Sequence, residues 1–543
     1  MIAAKDLWRA RAFRQGKKRV PGAGGDLRER GSRWSRGGLD RPWRAGGIPM
    51  NTVITAIRTL IRGVVAFALL PLLIDRIGGA PSGLFIVGTT LTGYFNSVEY
   101  GLGLSVTKYV AEHRAVGDAE QLGSVLRASL VLMVGIGVTI AAALTLLGTL
   151  GGHVLFETAP VSNEAVPTLL VAAATALFYW PSRLGTAALE GLERYDLNSV
   201  VQIVCSIASF VVIYAATEWT HSVALLTGLF GVMLVAEGAC AGVLAWPHLR
   251  LRRGLGRWRG THLRPALGFG AGLFVMGVGD TLVYESDRLV VTAFVGAAAV
   301  VTYEIALRLH NGVRLISGLI GGVLVSACSR LAAQKHTERL RALVLIGSLY
   351  GVVLTLPFVV LTLALARPIL DAWVGQGYSR YAIYVQIFVS YWLIHSSGGM
   401  IGSAVIGIGR IRIFVWITAV GSLFALGLSI GLTAAWGTIG VIWGTVIPAW
   451  ISFPVLMYYS LRYVGISNAR FVREVLVPGY LPVAAWTMPV LAADWTLHPS
   501  GLLGVCAFCV VALMVLWVAQ VPMLRTSWRS IGLADQVGGG GSK

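Results

Sequence analysis

The chain has 543 residues, of which 56% are hydrophobic and only 13% are charged, and its formal net charge at pH 7 is +19. A soluble domain carries roughly 25% charged residues because its surface faces water, so this composition excludes an ordinary soluble protein. The basic charge does not indicate nucleic-acid binding, because it is concentrated in the first 50 residues and in short loops between apolar segments.

Residues 1–50 are predicted to form a disordered basic tail. Residues 1–49 contain thirteen Lys and Arg but only four Asp and Glu, together with many glycines and no apolar periodicity. The tail lacks the apolar core of a signal peptide. Two interpretations stay open: Met50 is the biological start, or the tail binds anionic lipid headgroups.

Fourteen apolar segments follow, each long enough to cross the ~30 Å hydrocarbon core of a membrane. In chain order, spans 1 to 14 are predicted at 52–75, 83–107, 122–150, 165–189, 197–217, 223–246, 266–295, 300–329, 342–366, 380–408, 412–433, 438–461, 475–493 and 501–522. The sequence therefore predicts an all-α polytopic membrane protein with about fourteen transmembrane helices.

Lys and Arg are distributed unevenly over the loops between these spans. Eighteen lie in loops that follow even-numbered spans, and only three lie in loops that follow odd-numbered spans. Short cytoplasmic loops are enriched in Lys and Arg, so both termini are predicted to be cytoplasmic. We expect the chain to lie in the bacterial inner membrane.

Two pairs of similar segments indicate an internal repeat. Gly103–Arg114 resembles Gly322–Ala333, and Thr186–Arg194 resembles Gly402–Arg410, at offsets of 219 and 216 residues. Transporters built from parallel repeats bind their substrate between the two halves. The predicted organisation is an N-lobe at 51–250 with spans 1 to 6, a basic cytoplasmic linker at 251–265, a C-lobe at 266–462 with spans 7 to 12, spans 13 and 14 at 463–524, and a cytoplasmic tail at 525–543.

Ionisable residues inside the spans form the candidate site, because each costs at least ~2.5–3.5 kcal/mol in a membrane. Arg58 and Arg62 share one face of span 1, and neither they nor Arg314 in span 8 have an acid three or four residues away. They favour a water-filled cationic cavity lined by spans 1, 2, 7 and 8. Guanidinium groups suit such a cavity because their donor fork matches phosphate oxygens.

Other charges in the spans have a structural alternative. Glu304 and Arg308 are spaced to pair within span 8, and Asp287 and Arg288 are candidates to pair across helices. Asp280, midway along span 7, is either a proton or sodium site or a partner of the span 1 arginines.

Several segments resemble the bacterial polysaccharide repeat-unit flippases. The segments that carry the resemblance are Glu99–Ser105, Lys108–Glu112, Asp287–Gly296, Val301–Ala306 and Leu370–Gly375. They are similar to the exit of helix 2, the helix 7–8 hairpin and the stretch before helix 10 of those proteins. On this basis residues 51–462 are identified as a member of the multidrug/oligosaccharidyl-lipid/polysaccharide exporter superfamily.

The resemblance implies a transporter rather than an enzyme, without cofactor or metal. It would flip a polyprenyl-pyrophosphate-linked oligosaccharide from the cytoplasmic to the outer leaflet by alternating access, for surface polysaccharide or cell-envelope synthesis. Its partners would be this substrate and membrane lipids, with a polysaccharide polymerase as a further candidate and no nucleic acid. Arginines of helices 1 and 8 bind pyrophosphate in related flippases, which assigns that role to Arg58, Arg62, Arg308 and Arg314. Asp280 and Glu99 are candidate coupling residues.

The sequence bears on three alternatives to this interpretation. The two spans beyond twelve resemble those of the lipid II flippases. A cation-coupled multidrug exporter of the same superfamily is disfavoured by arginines in spans 1 and 8. A membrane-embedded glycosyltransferase or polymerase is disfavoured because the longest outer loops, 151–164 and 367–379, have at most about fourteen residues. No Walker motif is present, which excludes ATP hydrolysis by this chain as the energy source.

Overall fold

A computed structural model describes residues 47–93, 96–151, 162–249, 284–334, 336–398, 401–402, 404–405, 408, 411–497 and 501–530. Contacts divide the chain into residues 1–53 and residues 54–543. The helix contacts of the fold and the residues of the cavity all lie within the second unit. The linker predicted at 251–265 and residues 1–46 of the predicted tail lie outside the described residues, whereas the last residues of that tail already belong to a helix that begins at Gly47.

The described part of the chain is helical throughout. Its α-helices are α1 (Gly47–Ile77), α2 (Gly79–Gly93), α3 (Asn96–Val116), α4 (Ala119–Leu146), α5 (Ser162–Gly191), α6 (Tyr195–Ala216), α7 (Val223–Leu249), α8 (Ser286–Phe294), α9 (Ala297–Ala333), α10 (Thr337–Ala364), α11 (Ala366–Trp373), α12 (Ala382–His395), α13 (Ile411–Trp436), α14 (Thr438–Val464), α15 (Asn468–Phe471), α16 (Val477–Leu497) and α17 (Gly501–Ser530). Two π-helical turns, Leu147–Gly151 and Val472–Leu476, and a 3₁₀ segment, Gln376–Tyr381, complete the set.

Ten helical segments of the described chain are long and apolar enough to cross a membrane. They are Val53–Ile77, Ala119–Leu150, Asn163–Gly191, Tyr195–Ala216, Val223–Leu249, Thr337–Ala364, Val415–Trp436, Thr438–Val464, Asn468–Leu497 and Gly501–Leu524. These match predicted spans 1, 3 to 6, 9 and 11 to 14, and the predicted all-α polytopic membrane protein is confirmed. The division into an N-lobe and a C-lobe stays a prediction.

The four remaining predicted spans, 2, 7, 8 and 10, are not among these ten segments. Span 2 is described as α2 and the first half of α3, because residues 94 and 95 between them lie outside the described residues. Most of span 7 lies outside the described residues, which resume at residue 284. Span 8 is the 37-residue helix α9, whose N-terminal half carries Glu304, Arg308 and Arg314. Span 10 is described as α12 and isolated residues after it.

Glycines and a capping residue fix where the first helices begin and end. Gly78 has a φ of +85°, which allows a one-residue turn between α1 and α2. Gly117, with a φ of +77°, ends α3 in the same way. The side chain of Asp118 then accepts a hydrogen bond of 3.0 Å from the backbone N–H of Gln121 and caps α4. As a result, α4 begins three residues earlier than predicted.

The predicted outer loop at 367–379 is ordered and contacts the first helix. Its short helix α11 ends at Trp373, whose ring stacks on Phe67 of α1 with centroids 3.7 Å apart. The indole N–H also donates a 3.1 Å hydrogen bond to the carbonyl oxygen of Phe67. This segment therefore packs on α1 instead of forming a free connection between α10 and α12.

Small residues allow three helix pairs to approach closely. A Cβ added to Gly185 of α5 would lie 2.3 Å from the carbonyl oxygen of Gly238 in α7. A Cβ on Gly444 of α14 would lie 2.4 Å from the Cα of Ser429 in α13. The third pair is α2 and α9, where Gly83 meets the first turn of α9. Small residues at such crossings are typical of helices that associate inside membranes.

Candidate functional site

One group of charged residues is centred on Glu237 of α7. Nη1 of Arg62, on α1, donates to both carboxylate oxygens of Glu237 at 3.2 and 3.1 Å, and to the side-chain oxygen of Gln202 at 2.6 Å. Nη1 of Arg183, on α5, donates to the same carboxylate at 3.0 Å. The Glu237 side chain is only 4% exposed. We call these four residues the Glu237 cluster.

The helix packing explains why these residues meet. Arg183 and Glu237 lie close in sequence to Gly185 and Gly238, where α5 and α7 approach each other closely. The guanidinium of Arg183 also lies 5.7 Å from the ring centroid of Tyr179, one turn earlier on α5. A carboxylate buried between two arginines satisfies the requirement that a charge away from water be paired.

A second group is centred on Glu304 of α9. Its two carboxylate oxygens accept hydrogen bonds from Nε of Arg288 at 2.9 Å and from Nε of Arg308 at 3.0 Å. Arg288 also forms an ion pair with Glu285. The Glu304–Arg308 pair predicted within span 8 is therefore present, but it belongs to a larger cluster. We call Glu285, Arg288, Glu304 and Arg308 the Glu304 cluster.

Both clusters face the same cavity, which has a volume of about 370 Å³. Its charged lining residues are Arg62, Glu237, Glu285, Arg288, Glu304 and Arg308. The walls between them include aromatic rings such as Phe85, Tyr179 and Phe230, and hydroxyl groups such as Thr89 and Ser206. Three arginines and three glutamates give the described lining a formal charge of zero. The arginines of the lining are therefore accompanied by an equal number of acids, whereas the sequence predicted a cationic cavity.

The four arginines of the predicted site have different surroundings. Arg62 and Arg308 line the cavity. Arg58, one turn before Arg62, has a buried Nη1 without a hydrogen-bond partner among the described residues. Arg314 is exposed, and its guanidinium lies 5.1 Å from the ring centroid of Tyr284. The structure therefore brings two of the four arginines to the cavity.

The side chains of the two candidate coupling residues lie outside the described part of the structure. Asp280 lies outside the described residues, and for Glu99 only the helical backbone of α3 is described. Their assignment stays a prediction. Among the described residues, no group of His, Cys, Asp and Glu side chains is arranged to hold a metal ion.

Asp287 and Arg288, which the sequence offers as candidates to pair across helices, each contact a side chain of another helix. Neighbouring residues on a helix point about 100° apart, so Arg288 reaches Glu304 while Asp287 points elsewhere. The Asp287 carboxylate accepts hydrogen bonds from the hydroxyls of Tyr303 at 3.2 Å and Thr445 at 2.5 Å. It is 1% exposed.

Five residues of the two clusters were not among the predicted site residues: Glu237, Gln202, Arg183, Glu285 and Arg288. Glu237 and Arg183 did carry one signal, because each is a charge in the middle of an apolar span. Their partners could not be identified, since Arg62 and Glu237 are 175 residues apart in the chain.

Comparisons with known proteins agree with this description. Residues 129–383 match the family described as polysaccharide biosynthesis protein. Comparison with curated protein sequences gives no match. Among solved structures, the lipid II flippase MurJ in an inward closed conformation aligns with a TM-score of 0.64 and 13% identity, over 89% of this chain and 100% of that chain.

Two multidrug transporters give similar alignments. A multidrug resistance MATE family transporter of the MOP superfamily, inward-facing, has a TM-score of 0.60 and 16% identity, over 75% of this chain and 94% of that chain. The MATE multidrug transporter DinF-BH, solved as a complex, has a TM-score of 0.56 and 14% identity, over 78% of this chain and 97% of that chain. The chain is therefore a multi-pass membrane protein with the fold of the multidrug/oligosaccharidyl-lipid/polysaccharide exporter superfamily, as its sequence predicts.

Proposed function

We propose that the chain is a flippase that moves a polyprenyl-pyrophosphate-linked oligosaccharide from the cytoplasmic to the outer leaflet by alternating access. The observation that carries the proposal is the cavity of about 370 Å³, with guanidinium groups of Arg62, Arg288 and Arg308 in its lining. The match of residues 129–383 to a polysaccharide biosynthesis family supports a saccharide as part of the substrate.

The donors of the cavity arginines suit a phosphate group. Arg62 makes all its described hydrogen bonds through Nη1, and its side chain is 37% exposed. Its Nε and Nη2 donors can therefore bind two oxygens of a phosphate side by side, which is the geometry that makes arginine a preferred phosphate ligand. The aromatic rings of the wall add apolar surface beside these donors.

The arrangement of the lining fits transport better than catalysis. It combines side chains of α1, α2, α5, α6 and α7 with side chains of α9 and of residues 285 and 288. These segments belong to the predicted N-lobe and C-lobe, so relative motion of the lobes would open the cavity to one side of the membrane or the other. We place the chain in the bacterial inner membrane with both termini cytoplasmic, on the distribution of Lys and Arg between its loops. A polysaccharide polymerase remains a candidate partner.

Reconstitution into liposomes tests the proposal. The full chain is incorporated into vesicles that contain a fluorescent polyprenyl-pyrophosphate-linked oligosaccharide, and a membrane-impermeant quencher reports how fast the label moves between leaflets. We expect wild-type protein to accelerate this movement and Arg62→Ala to abolish it. Arg76→Ala is the matched control, because it removes an arginine that pairs with Glu218 and does not line the cavity. Equal rates for wild type and Arg62→Ala would refute the assignment.

A cation-coupled multidrug exporter is the second candidate function. Glu237, Glu285 and Glu304 line the cavity, and carboxylates are the groups that bind an organic cation. The structural relative DinF-BH is described as a multidrug transporter. Export of a fluorescent organic cation by the reconstituted chain, without movement of the labelled oligosaccharide, would favour this alternative. Lipid II, offered in the same vesicles, tests the third candidate.

A further inference from the structure

We propose that Glu237 is a placeholder anion, meaning a carboxylate that occupies Nη1 of Arg62 in the empty protein and is displaced by the phosphate of the substrate. The inference deepens the proposed function and rests on it. Its starting point is that the arginine best placed to bind phosphate is already bound by an acid inside the cavity.

The geometry allows this displacement without leaving a buried charge unpaired. Glu237 accepts hydrogen bonds from two arginines, Arg62 and Arg183. Arg183 does not line the cavity, and its guanidinium also lies over the ring of Tyr179. When a phosphate takes Arg62, the carboxylate keeps Arg183 as its partner. An isolated carboxylate at 4% exposure would be far more costly.

Arg62 is the member of the cluster that can change partners. Its side chain is 37% exposed, compared with 15% for Arg183. It contacts Glu237 and Gln202 through one nitrogen only, so it can bind a phosphate through its other donors before the contact with Glu237 is lost. A stepwise exchange of this kind avoids an intermediate with an unpaired guanidinium.

The Glu304 cluster repeats the same arrangement on the other side of the lining. Glu304 is shared by Arg288 and Arg308, and Arg308 has a buried Nη1 without a hydrogen-bond partner among the described residues. Each cluster thus places one carboxylate between two arginines. Glu304 can retain Arg288 when Arg308 binds an anion. We test the Glu237 cluster because its arginine is the more exposed of the two.

The prediction is that removing the placeholder strengthens anion binding. The full chain, purified in detergent, is titrated with inorganic pyrophosphate by calorimetry. We expect Glu237→Gln to lower the Kd about tenfold, which corresponds to ~1.4 kcal/mol. Glu218→Gln, which removes an acid from the Arg76 pair outside the cavity, is the matched control and leaves the Kd unchanged. An unchanged or higher Kd for Glu237→Gln, with binding by wild type, overturns the inference.

Two further measurements separate this inference from the proposed function and from misfolding. In the Arg62→Ala background, Glu237→Gln should no longer strengthen binding of pyrophosphate, because the guanidinium for which the carboxylate and the phosphate compete is absent. A persisting tenfold gain would overturn the inference. In the flipping assay, Glu237→Gln should lower both KM and kcat, since a phosphate held without a competitor is released slowly. Loss of stability alone would not lower KM. If neither wild type nor Glu237→Gln binds pyrophosphate, the anion site of the proposed function fails as well.

Discussion

The contact between Gly83 of α2 and Ala297 of α9 gives the sharpest test of how the helices close over the cavity. A Cβ added to Gly83 would lie 1.8 Å from the carbonyl oxygen of Ala297, whereas real Cβ atoms essentially never come within 3.0 Å of another atom. Gly83→Ala therefore requires the two helices to separate by at least about 1.2 Å. Gly83 lies one turn or less from Phe85 and Ile86, which line the cavity.

The magnitude follows from the cost of overpacking. An extra methyl group in a well-packed contact costs ~1–3 kcal/mol, which shifts an equilibrium between two conformations roughly 5- to 150-fold. We expect Gly83→Ala to disfavour the conformation described here and to favour one in which α2 and α9 are apart. Transport should fall by a similar factor, because alternating access requires both conformations.

The native Cys205 allows the shift to be measured, because it lines the cavity. The other four cysteines, Cys240, Cys328, Cys506 and Cys509, are replaced by serine. Labelling of Cys205 by a membrane-impermeant maleimide, added from each side of sealed vesicles, then reports the accessibility of the cavity. We expect Gly83→Ala to accelerate labelling from the side next to α2 and the first turn of α9.

A glycine of the same helix supplies the control. A Cβ on Gly79 would lie 3.7 Å from the hydroxyl of Tyr378, an ordinary van der Waals distance. Gly79→Ala should therefore leave both labelling and transport unchanged. Equal labelling and transport in Gly83→Ala and Gly79→Ala would refute the argument that the α2–α9 contact closes the cavity.

Three further perturbations have expected outcomes. Glu304→Gln leaves Arg308 without a carboxylate, and we expect it to lower the stability measured by thermal unfolding by ~3–5 kcal/mol. The control is Glu338→Gln, which removes the partner of Arg341; because the Glu338 side chain is 74% exposed, this change should cost at most about 1 kcal/mol. Similar losses of stability for both variants would contradict the argument that burial makes the Glu304 pair costly to break. Trp373→Ala removes the stacking on Phe67 and should cost ~3–5 kcal/mol. Trp373→Phe keeps a ring that can stack but loses the hydrogen bond, and it should cost markedly less in the same measurement, about 1 kcal/mol for the hydrogen bond. A chain that begins at Met50 should reach the membrane and transport as the full chain does, because residues 1–49 have no apolar face; reduced transport at equal membrane levels would show that the basic tail is used.

The sequence predicted those features that depend on neighbouring residues. Long apolar segments are sufficient to identify membrane helices, because each must satisfy its own backbone hydrogen bonds in lipid. The Glu304–Arg308 pair was predictable because both residues lie on one helix, four positions apart. The start of α4 shows the limit of this approach, since the segment around Asp118 is polar and its capping bond lies outside the apolar pattern.

Contacts between distant helices could not be read from the sequence. Arg62 has no acid three or four positions away, which favoured an unpaired cation, but its partner Glu237 comes from another helix of the predicted N-lobe. The close approach of α5 and α7 that positions this glutamate depends on the match of Gly185 and Gly238, which the sequence of either helix alone does not reveal. Arg288 and Asp287 illustrate the same point, because their side chains diverge to different neighbours.

The acids of the lining change what the membrane potential can do in the proposed cycle. A pyrophosphate carries about two negative charges, and each charge gains ~2.3 kcal/mol per 100 mV when it moves outward across a membrane that is negative inside. A cavity with only arginines would be neutralised by the substrate and would move little net charge outward, and the field would act mainly on the empty cationic protein. The described lining carries three arginines and three glutamates, so the loaded cavity is the charged one and the empty cavity is neutral. In the proposed cycle we therefore expect the potential to act on the loaded step, in the direction of export, while the empty protein returns without a large electrical penalty.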